Sequence, residues 1–214
     1  QGQSNTLTWM LTKPMSDNWS ANIGFRVGHA TDVNPGTSSV ASSNFSGNTW
    51  VNPNADVAST SNYNVAKRVI GSLTWQHKFF GDYMTRVSAF MDLHSGAPYS
   101  WISGNDTNGD GQSRDLIYIP KSIDDVVWAA NNTATQKQQL LSYIQNNPYL
   151  REHMGQIAGR NAVSTPWINQ IDVSFTQQIP GIFEGNKGEL RFDIFNFGNL
   201  LNSKWGVEKR ATFP

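Results

Sequence analysis

Alternating apolar and polar residues mark a hairpin in residues 67–94. In its first arm the odd positions are mostly apolar and the even positions from Ser72 onward are polar. The second arm repeats the pattern after a tight turn at residues 79–83, and Phe90 is the one apolar residue on its polar face. Because side chains in a strand alternate between faces, this pattern predicts an antiparallel hairpin with one apolar and one polar face.

The same period of two predicts four further strands, for six in all. They lie at about residues 6–12, 21–28, 169–179 and 189–197. Between them, residues 29–66 and 95–168 are rich in Ser, Asn, Thr and Gly, so we expect two long loops. The connections therefore alternate short, long, short, long, short, and residues 198–214 are expected to begin another long loop.

The second long loop contains a predicted helical insertion. Thr135 is the expected N-cap, with Gln138 three residues later as in a capping box. Asn147 is expected to cap a second short helix that has Pro148 at its first position and ends at Gly155. The insertion is short, so it does not change the all-β character of the chain.

The order of the connections favours an outer membrane barrel, which has short periplasmic turns, long extracellular loops and strands that alternate between lipid and lumen. Aromatic residues at the short-turn ends fit an interfacial girdle; they are Trp19, Phe80, Tyr83 and Phe183. The predicted fold class is therefore all-β, with antiparallel up-and-down strands from a transmembrane β-barrel. The alternative is a soluble all-β binding or adhesion module, dependent on calcium, that buries the same apolar face.

The composition of the chain mainly excludes certain partners and certain kinds of site. Sixteen Lys and Arg balance sixteen Asp and Glu, so no charge excess indicates a nucleic-acid partner. The absence of cysteine excludes disulfides, thiolate catalysis and cysteine zinc sites. No apolar run approaches the ~18 residues of a spanning helix, and residues 1–13 lack the features of a signal peptide. If the chain crosses a membrane, strands must do so.

A run of acidic and amide residues begins like a calcium-binding loop, with oxygen ligands at positions one, three and five and Gly at six. The candidate ligands are Asp106, Asn108, Asp110, Gln112 through its carbonyl, and Asp115. Ile117 stands at position twelve, where such loops have a bidentate Glu. The alternative is an ordinary Asn/Asp/Gly turn in an exposed loop.

Aromatic residues in the long loops are candidate ligand contacts, although they could equally pack the loops on one another. They are Trp50, Tyr63, Trp101, Tyr118 and Trp128. The four histidines show no metal-ligand spacing, and no G-x-S-x-G motif is present. We therefore expect no catalytic residues and no enzyme activity.

Several stretches carry a family resemblance. They are SGAPYS at 95–100, GNDTNGDG at 104–111, DLIYIP at 115–120, YLR at 149–151, GRNA at 159–162, PW at 166–167, QIDVSFTQ at 170–177 and ELRFDIFN at 189–196. In order and spacing, over about residues 67–205, they resemble the C-terminal part of Oar-like TonB-dependent outer membrane receptors.

The resemblance implies a barrel of about 22 strands in the outer membrane, closed by an N-terminal plug. Six strands cannot close such a barrel, so residues 1–214 are expected to be part of a longer receptor. The implied partners are membrane lipid, the rest of the barrel and its plug, TonB through the missing N-terminal part, and an unidentified extracellular substrate.

Overall fold

The computed structural model describes residues 2–210, which form six long strands, three very short strands and four helices. The strands are β1 (Gln3–Ser16), β2 (Trp19–Asp32), β3 (Ser59–Thr60), β4 (Lys67–Phe80), β5 (Tyr83–His94), β6 (Pro98–Tyr99), β7 (Val163–Ser164), β8 (Ile168–Pro180) and β9 (Lys187–Ile194). The helices are α1 (Ala41–Ser46), α2 (Ala134–Asn146), α3 (Pro148–Glu152) and α4 (Phe197–Leu201), with a 3-10 turn at Ile123–Asp125. Residue 1 and the end of the expected final loop, residues 211–214, lie outside the described range.

The long strands form one antiparallel sheet in the order β1-β2-β4-β5-β8-β9, and β3 pairs with β2. Each long strand therefore pairs with the next long strand along the chain, which is an up-and-down meander. Strands β6 and β7 pair separately. The predicted fold class is confirmed. Within residues 2–210 the sheet is open, with β1 and β9 at its edges.

Short connections, two of them two-residue turns, join the strands at one end of the sheet. Between β1 and β2, Asp17 and Asn18 have φ values of 51° and 69°, as a type I′ hairpin turn requires. Between β4 and β5, Gly81 has φ 57°, which glycine adopts without steric cost. Residues 181–186 connect β8 and β9 at the same end. The local turn chemistry thus fixes the register of the hairpins.

The pairing register gives the sheet one apolar and one polar face, because directly paired residues share a face. One apolar row runs across five strands: Trp19, Trp75, Val87, Phe175 and Phe192. The adjacent row on the other face is polar: Ser20, Thr74, Ser88, Ser174 and Asp193. The apolar face is exposed; Leu73 near its centre is 49% exposed. The soluble alternative predicts that this face is buried, and no second sheet covers it in residues 2–210.

The buried apolar core lies outside the sheet. Its residues are Ile119, Ile144, Leu150 and Ala158, all from the second long loop. Residues 33–66 and 95–167, at the end of the sheet opposite the short turns, are called the loop layer below. Among the helices of residues 2–210, none combines the length and apolarity needed to cross a membrane.

Several predicted loop and strand limits differ from the structure. The strands β1 and β2 extend beyond the predicted residues 6–12 and 21–28 at both ends. The loop expected from residue 29 begins only after Asp32, because His29–Asp32 backbone groups still pair with β1 and β3 although their side chains are mostly polar. The last strand, expected to reach residue 197, ends at Ile194. Asn196 has φ 53°, a left-handed conformation that breaks an extended strand, and it precedes α4.

The helical insertion begins earlier than predicted. Thr133, rather than Thr135, is the N-cap of α2, and its side chain forms a capping box with Gln136. Both threonines have Gln three residues later, and the earlier start adds two residues to the helix. Asn147 caps α3 as predicted, with Pro148 at its first position. That helix ends at Glu152, and Gly155 lies in the turn that follows, with φ 84°.

Candidate functional site at the loop end of the sheet

A buried ion pair fastens the loop layer to the sheet. Arg160 is only 3% exposed, and its guanidinium binds the Asp32 carboxylate at the end of β2. The same guanidinium donates to the main-chain carbonyls of Asp32 and Val33, at 3.2 and 2.8 Å. One arginine of the second loop therefore satisfies a carboxylate and two carbonyls where the first loop leaves the sheet.

Asn161 continues this junction. It has φ 53°, and its Nδ2 donates to the carbonyl of Thr60 at 2.8 Å and to Oδ1 of Asn62 at 2.6 Å. Its backbone N–H donates to Oγ of Ser100 at 2.8 Å. Arg160 and Asn161 belong to the GRNA stretch at 159–162, but the sequence alone assigns them no role. The available signal was an Asn, which tolerates left-handed backbone, directly after an Arg.

Trp101, one of the predicted ligand contacts, packs inside the loop layer. Its ring stacks on Tyr149, with centroids 5.3 Å apart and planes 4° apart, and its indole N–H donates to the Tyr143 hydroxyl at 3.2 Å. The Tyr149 hydroxyl in turn accepts from the Gly159 backbone N–H at 2.8 Å. These contacts hold the helical insertion against the chain on either side of it.

Of the other four predicted aromatic contacts, three form hydrogen bonds within the loop layer and the fourth is exposed. Trp50 and Trp128 each donate the indole N–H to a main-chain carbonyl five residues away, so they brace their own loops. The Tyr118 hydroxyl donates to Asp125 at 2.9 Å, and this bond raises the pKa of Tyr118. Tyr63 is 68% exposed. A role in ligand contact stays a prediction for all five aromatic residues.

The acidic loop turns its carboxylates toward its own main chain. Asp115 is 8% exposed and accepts from the backbone N–H groups of Thr107 and Asn108, at 2.5 and 3.1 Å. Asp106 accepts from the backbone N–H groups of Gly109 and Gly111, at 2.7 and 2.9 Å. The Gly111 bond first, and then the other backbone N–H groups of the loop, lower the pKa of Asp106. The loop is therefore held by charge-assisted hydrogen bonds.

This geometry leaves the calcium prediction open. In the described part of the chain, no group of three or more His, Asp or Glu residues is placed to hold a metal ion. Calcium also takes amide and main-chain oxygens, which here means Asn108 and Gln112. Calcium binding by the loop thus stays a prediction that a calorimetric titration tests.

One cavity gathers most of the predicted site residues. It has a volume of about 530 Å³ and lies between the acidic loop and the apolar residues Val51, Val127 and Ile157. Six predicted residues line it: Trp50, Asn108, Asp110, Gln112, Asp115 and Tyr118. Asp106, Tyr63, Trp101 and Trp128 lie outside its lining. The structure therefore brings the acidic loop and two of the five aromatic residues to one site.

A second cavity, called the junction cavity below, has a volume of about 680 Å³ and lies between the two long loops. Its lining includes Ser100, Asn161 and Arg114. Arg114 lines both cavities and has φ 70°, and its guanidinium donates to the Gly47 carbonyl at 2.6 Å. Sequence reasoning missed Arg114, because neither its backbone conformation nor its contact with the first loop leaves a local sequence signal.

Comparison with known proteins gives one family. The family model described as an outer membrane beta barrel domain matches residues 1–204. Neither the curated proteins nor the solved structures compared with the chain include a significant match.

Proposed function

This chain belongs to the outer membrane beta barrel domain family, and on that basis we propose that it forms part of the wall of a TonB-dependent receptor. Its location is the outer membrane, and in this proposal its apolar face meets lipid there. The finer proposal is an Oar-like receptor that takes up an extracellular substrate with energy transmitted by TonB. The observation that carries it is the combination of a two-faced sheet with long, structured loops at one end only.

The apolar face has the height that a bilayer requires. On β4 it runs from Val69 to Phe79, which corresponds to about 33 Å along the strand. A strand tilt of about 40° reduces this to about 25 Å, the height of the apolar band of outer membrane barrels. Stacked aromatic rings lie at its short-turn end, where Trp75 and His77 have centroids 6.0 Å apart. These features support the assignment of the short turns to the periplasmic interface.

The polar face fits a water-filled lumen. Arg68 and Asp92 form a bidentate ion pair across β4 and β5, with distances of 2.8 and 2.5 Å. Arg191 and Asp193 pair on β9 at 2.9 Å. Exposed charges on one face of the sheet are costly in lipid and tolerated in a polar lumen. In this proposal the polar face therefore lines the transport path.

The open edges of the sheet point to further strands. The edge strands β1 and β9 each present backbone N–H and C=O groups on one side, and lipid cannot satisfy these groups. We propose that the rest of the barrel pairs with both edges, that a plug fills the lumen, and that TonB binds through a part of the receptor outside this chain. We assign no catalytic role to these 214 residues, which would supply lumen wall and substrate vestibule.

Binding to TonB tests the proposal. The full-length protein, purified in detergent, is mixed with the periplasmic domain of TonB and analysed by size-exclusion chromatography with light scattering. The proposal predicts a one-to-one complex that is lost when the segment preceding the barrel is deleted. Absence of a complex, or one that survives the deletion, would contradict TonB coupling while leaving the membership in the barrel family intact.

A further inference from the structure

The junction cavity has the size and construction of a small-molecule site. Its volume of about 680 Å³ falls in the range of ligand pockets, roughly 300–1,000 Å³. Two of its polar lining residues are almost fully buried and bonded to each other: the Asn161 backbone N–H donates to Ser100 Oγ at 2.8 Å. Its wall is therefore fixed by hydrogen bonds within the loop layer.

Arg114 supplies a cation in an unusual backbone conformation. Its φ of 70° is uncommon for a side chain of this size, and such conformations concentrate at binding sites. A guanidinium has five N–H donors, and Nη1 already donates to the Gly47 carbonyl at 2.6 Å. That bond anchors the guanidinium at the cavity wall by a neutral acceptor rather than by a carboxylate.

Thr165 adds an unsatisfied group to the same wall. It is 9% exposed, and within residues 2–210 its Oγ1 has no hydrogen-bond partner. This oxygen is enclosed by protein atoms, so a solute in the cavity cannot reach it. Recognition of a solute at this wall therefore depends on Arg114 rather than on Thr165.

The charge of the cavity selects among anions. Arg114 and Arg210 contribute two positive charges and Glu208 one negative charge, which leaves one net positive charge. Glu208 and Arg210 pair with each other at 3.1 Å, and this bond lowers the pKa of Glu208, so its carboxyl is ionised at neutral pH. One net positive charge matches the single charge of a carboxylate better than the charge of about −1.5 to −2 on a phosphate ester.

We propose that the junction cavity binds a carboxylate-bearing solute, with the carboxylate on Arg114 and the rest of the molecule between the two long loops. The flat fork of a guanidinium matches a carboxylate in a bidentate geometry. The proposal deepens the proposed function, since it gives a chemical class to the substrate of the vestibule. Binding of the carboxylate does not depend on the proposed function; only the role of that binding in substrate uptake rests on it.

Two peptide probes that differ in one charge, with inorganic phosphate as a third probe, test the proposed carboxylate site. The full-length protein in detergent is titrated calorimetrically with acetyl-trialanine, with acetyl-trialanine amide and with inorganic phosphate. The acid is expected to bind at least about tenfold more tightly than the amide, because a charged hydrogen bond is lost with the amide. Equal affinities for acid and amide, tighter binding of phosphate, or no binding of the acid at millimolar concentration would overturn the proposal.

Variants locate the site. Arg114→Gln should remove the preference for acid over amide, and Arg114→Lys should keep only part of it, because the charge remains but the bidentate fork is lost. Arg151→Gln is the matched control: Arg151 is an exposed arginine of α3 that also donates to a main-chain carbonyl, that of Gln145. A preference that survives Arg114→Gln, or that disappears with Arg151→Gln, would place the site elsewhere.

The two proposals fail separately. Binding of the acid is measured on purified protein without TonB, so loss of TonB coupling leaves the titration unaffected. Conversely, a receptor that binds TonB but does not distinguish acid from amide would remove the carboxylate assignment alone.

Discussion

The sheet and the loop layer are stabilised in opposite ways. The fully buried apolar side chains Ile119, Ile144 and Leu150 all lie in the loop layer, while the apolar side chains of the sheet are exposed or only half-buried. Apart from Thr85 and Thr176, the buried polar residues of the described chain also lie at the loop end. The loop layer is therefore built like a small water-soluble domain. The sheet depends on its backbone pairing and on lipid around its apolar face.

Breaking the ion pair at the junction should have the largest effect. Arg160→Met leaves the Asp32 carboxylate, whose side chain is only 15% exposed, without its partner. We expect a loss of about 3–5 kcal/mol in the stability of the loop layer, the usual cost of removing one member of a buried pair. Urea unfolding followed by loop tryptophan fluorescence measures it, with exposed Arg151→Met as the matched control. Equal, small losses in both variants would contradict the account.

A charge in the centre of the apolar face should affect the sheet next most strongly. Leu73→Lys places an ammonium group on the lipid face and should cost about 2–4 kcal/mol in a bilayer. Ser72→Lys, one residue earlier on the polar face, should be nearly neutral. The comparison uses reversible unfolding of the full-length protein in lipid vesicles. Similar losses in the two variants would mean that lipid does not cover the apolar face alone.

Removing the helix cap sharpens the assignment within the loop layer. Thr133→Ala should destabilise α2 by about 1 kcal/mol, because the capping bond to the Gln136 backbone N–H is lost. Thr135→Ala lies within the first turn and should change stability by less than about 0.5 kcal/mol. Amide hydrogen exchange across α2 measures both, and the reverse order would favour the start at Thr135.

The smallest effect should be the response of the acidic loop to acid. The pKa of Asp106 is lowered in the folded loop, so the ionised carboxylate stabilises it. This contribution is complete above the ordinary pKa of about 3.9 and is lost as the pH falls through the lowered, folded value. Exchange of the Gly109 and Gly111 amides, corrected for the intrinsic rate at each pH, should therefore accelerate only in strong acid. In Asp106→Asn it should be faster already at neutral pH, and unchanged exchange would contradict the assignment.

The sheet could be predicted from sequence because its signal is local. A strand in which Leu73 and Trp75 alternate with Ser72 and Thr74 needs no distant partner to be recognised. The predicted ends of the strands were less accurate, because polar residues such as His29 continue the backbone pairing without adding to the apolar pattern.

The site could be predicted only in part, because it depends on distant contacts. Arg160 and Asp32 are 128 residues apart, so no local pattern links them. Arg114 meets Gly47 across 67 residues, and the junction cavity exists only once these segments meet. The acidic loop, by contrast, was visible in the sequence, because its hydrogen bonds join residues within ten positions of one another.

The central claim, that lipid covers the apolar face, has one direct test. Because these 214 residues contain no cysteine, single cysteines at Leu73 and Ser72 can carry a fluorophore without competing thiols in this region. The full-length protein, otherwise free of cysteine, is reconstituted in vesicles that contain brominated lipid. The account predicts strong quenching of the label at position 73 and little at position 72. Equal quenching, or stronger quenching at 72, would contradict it.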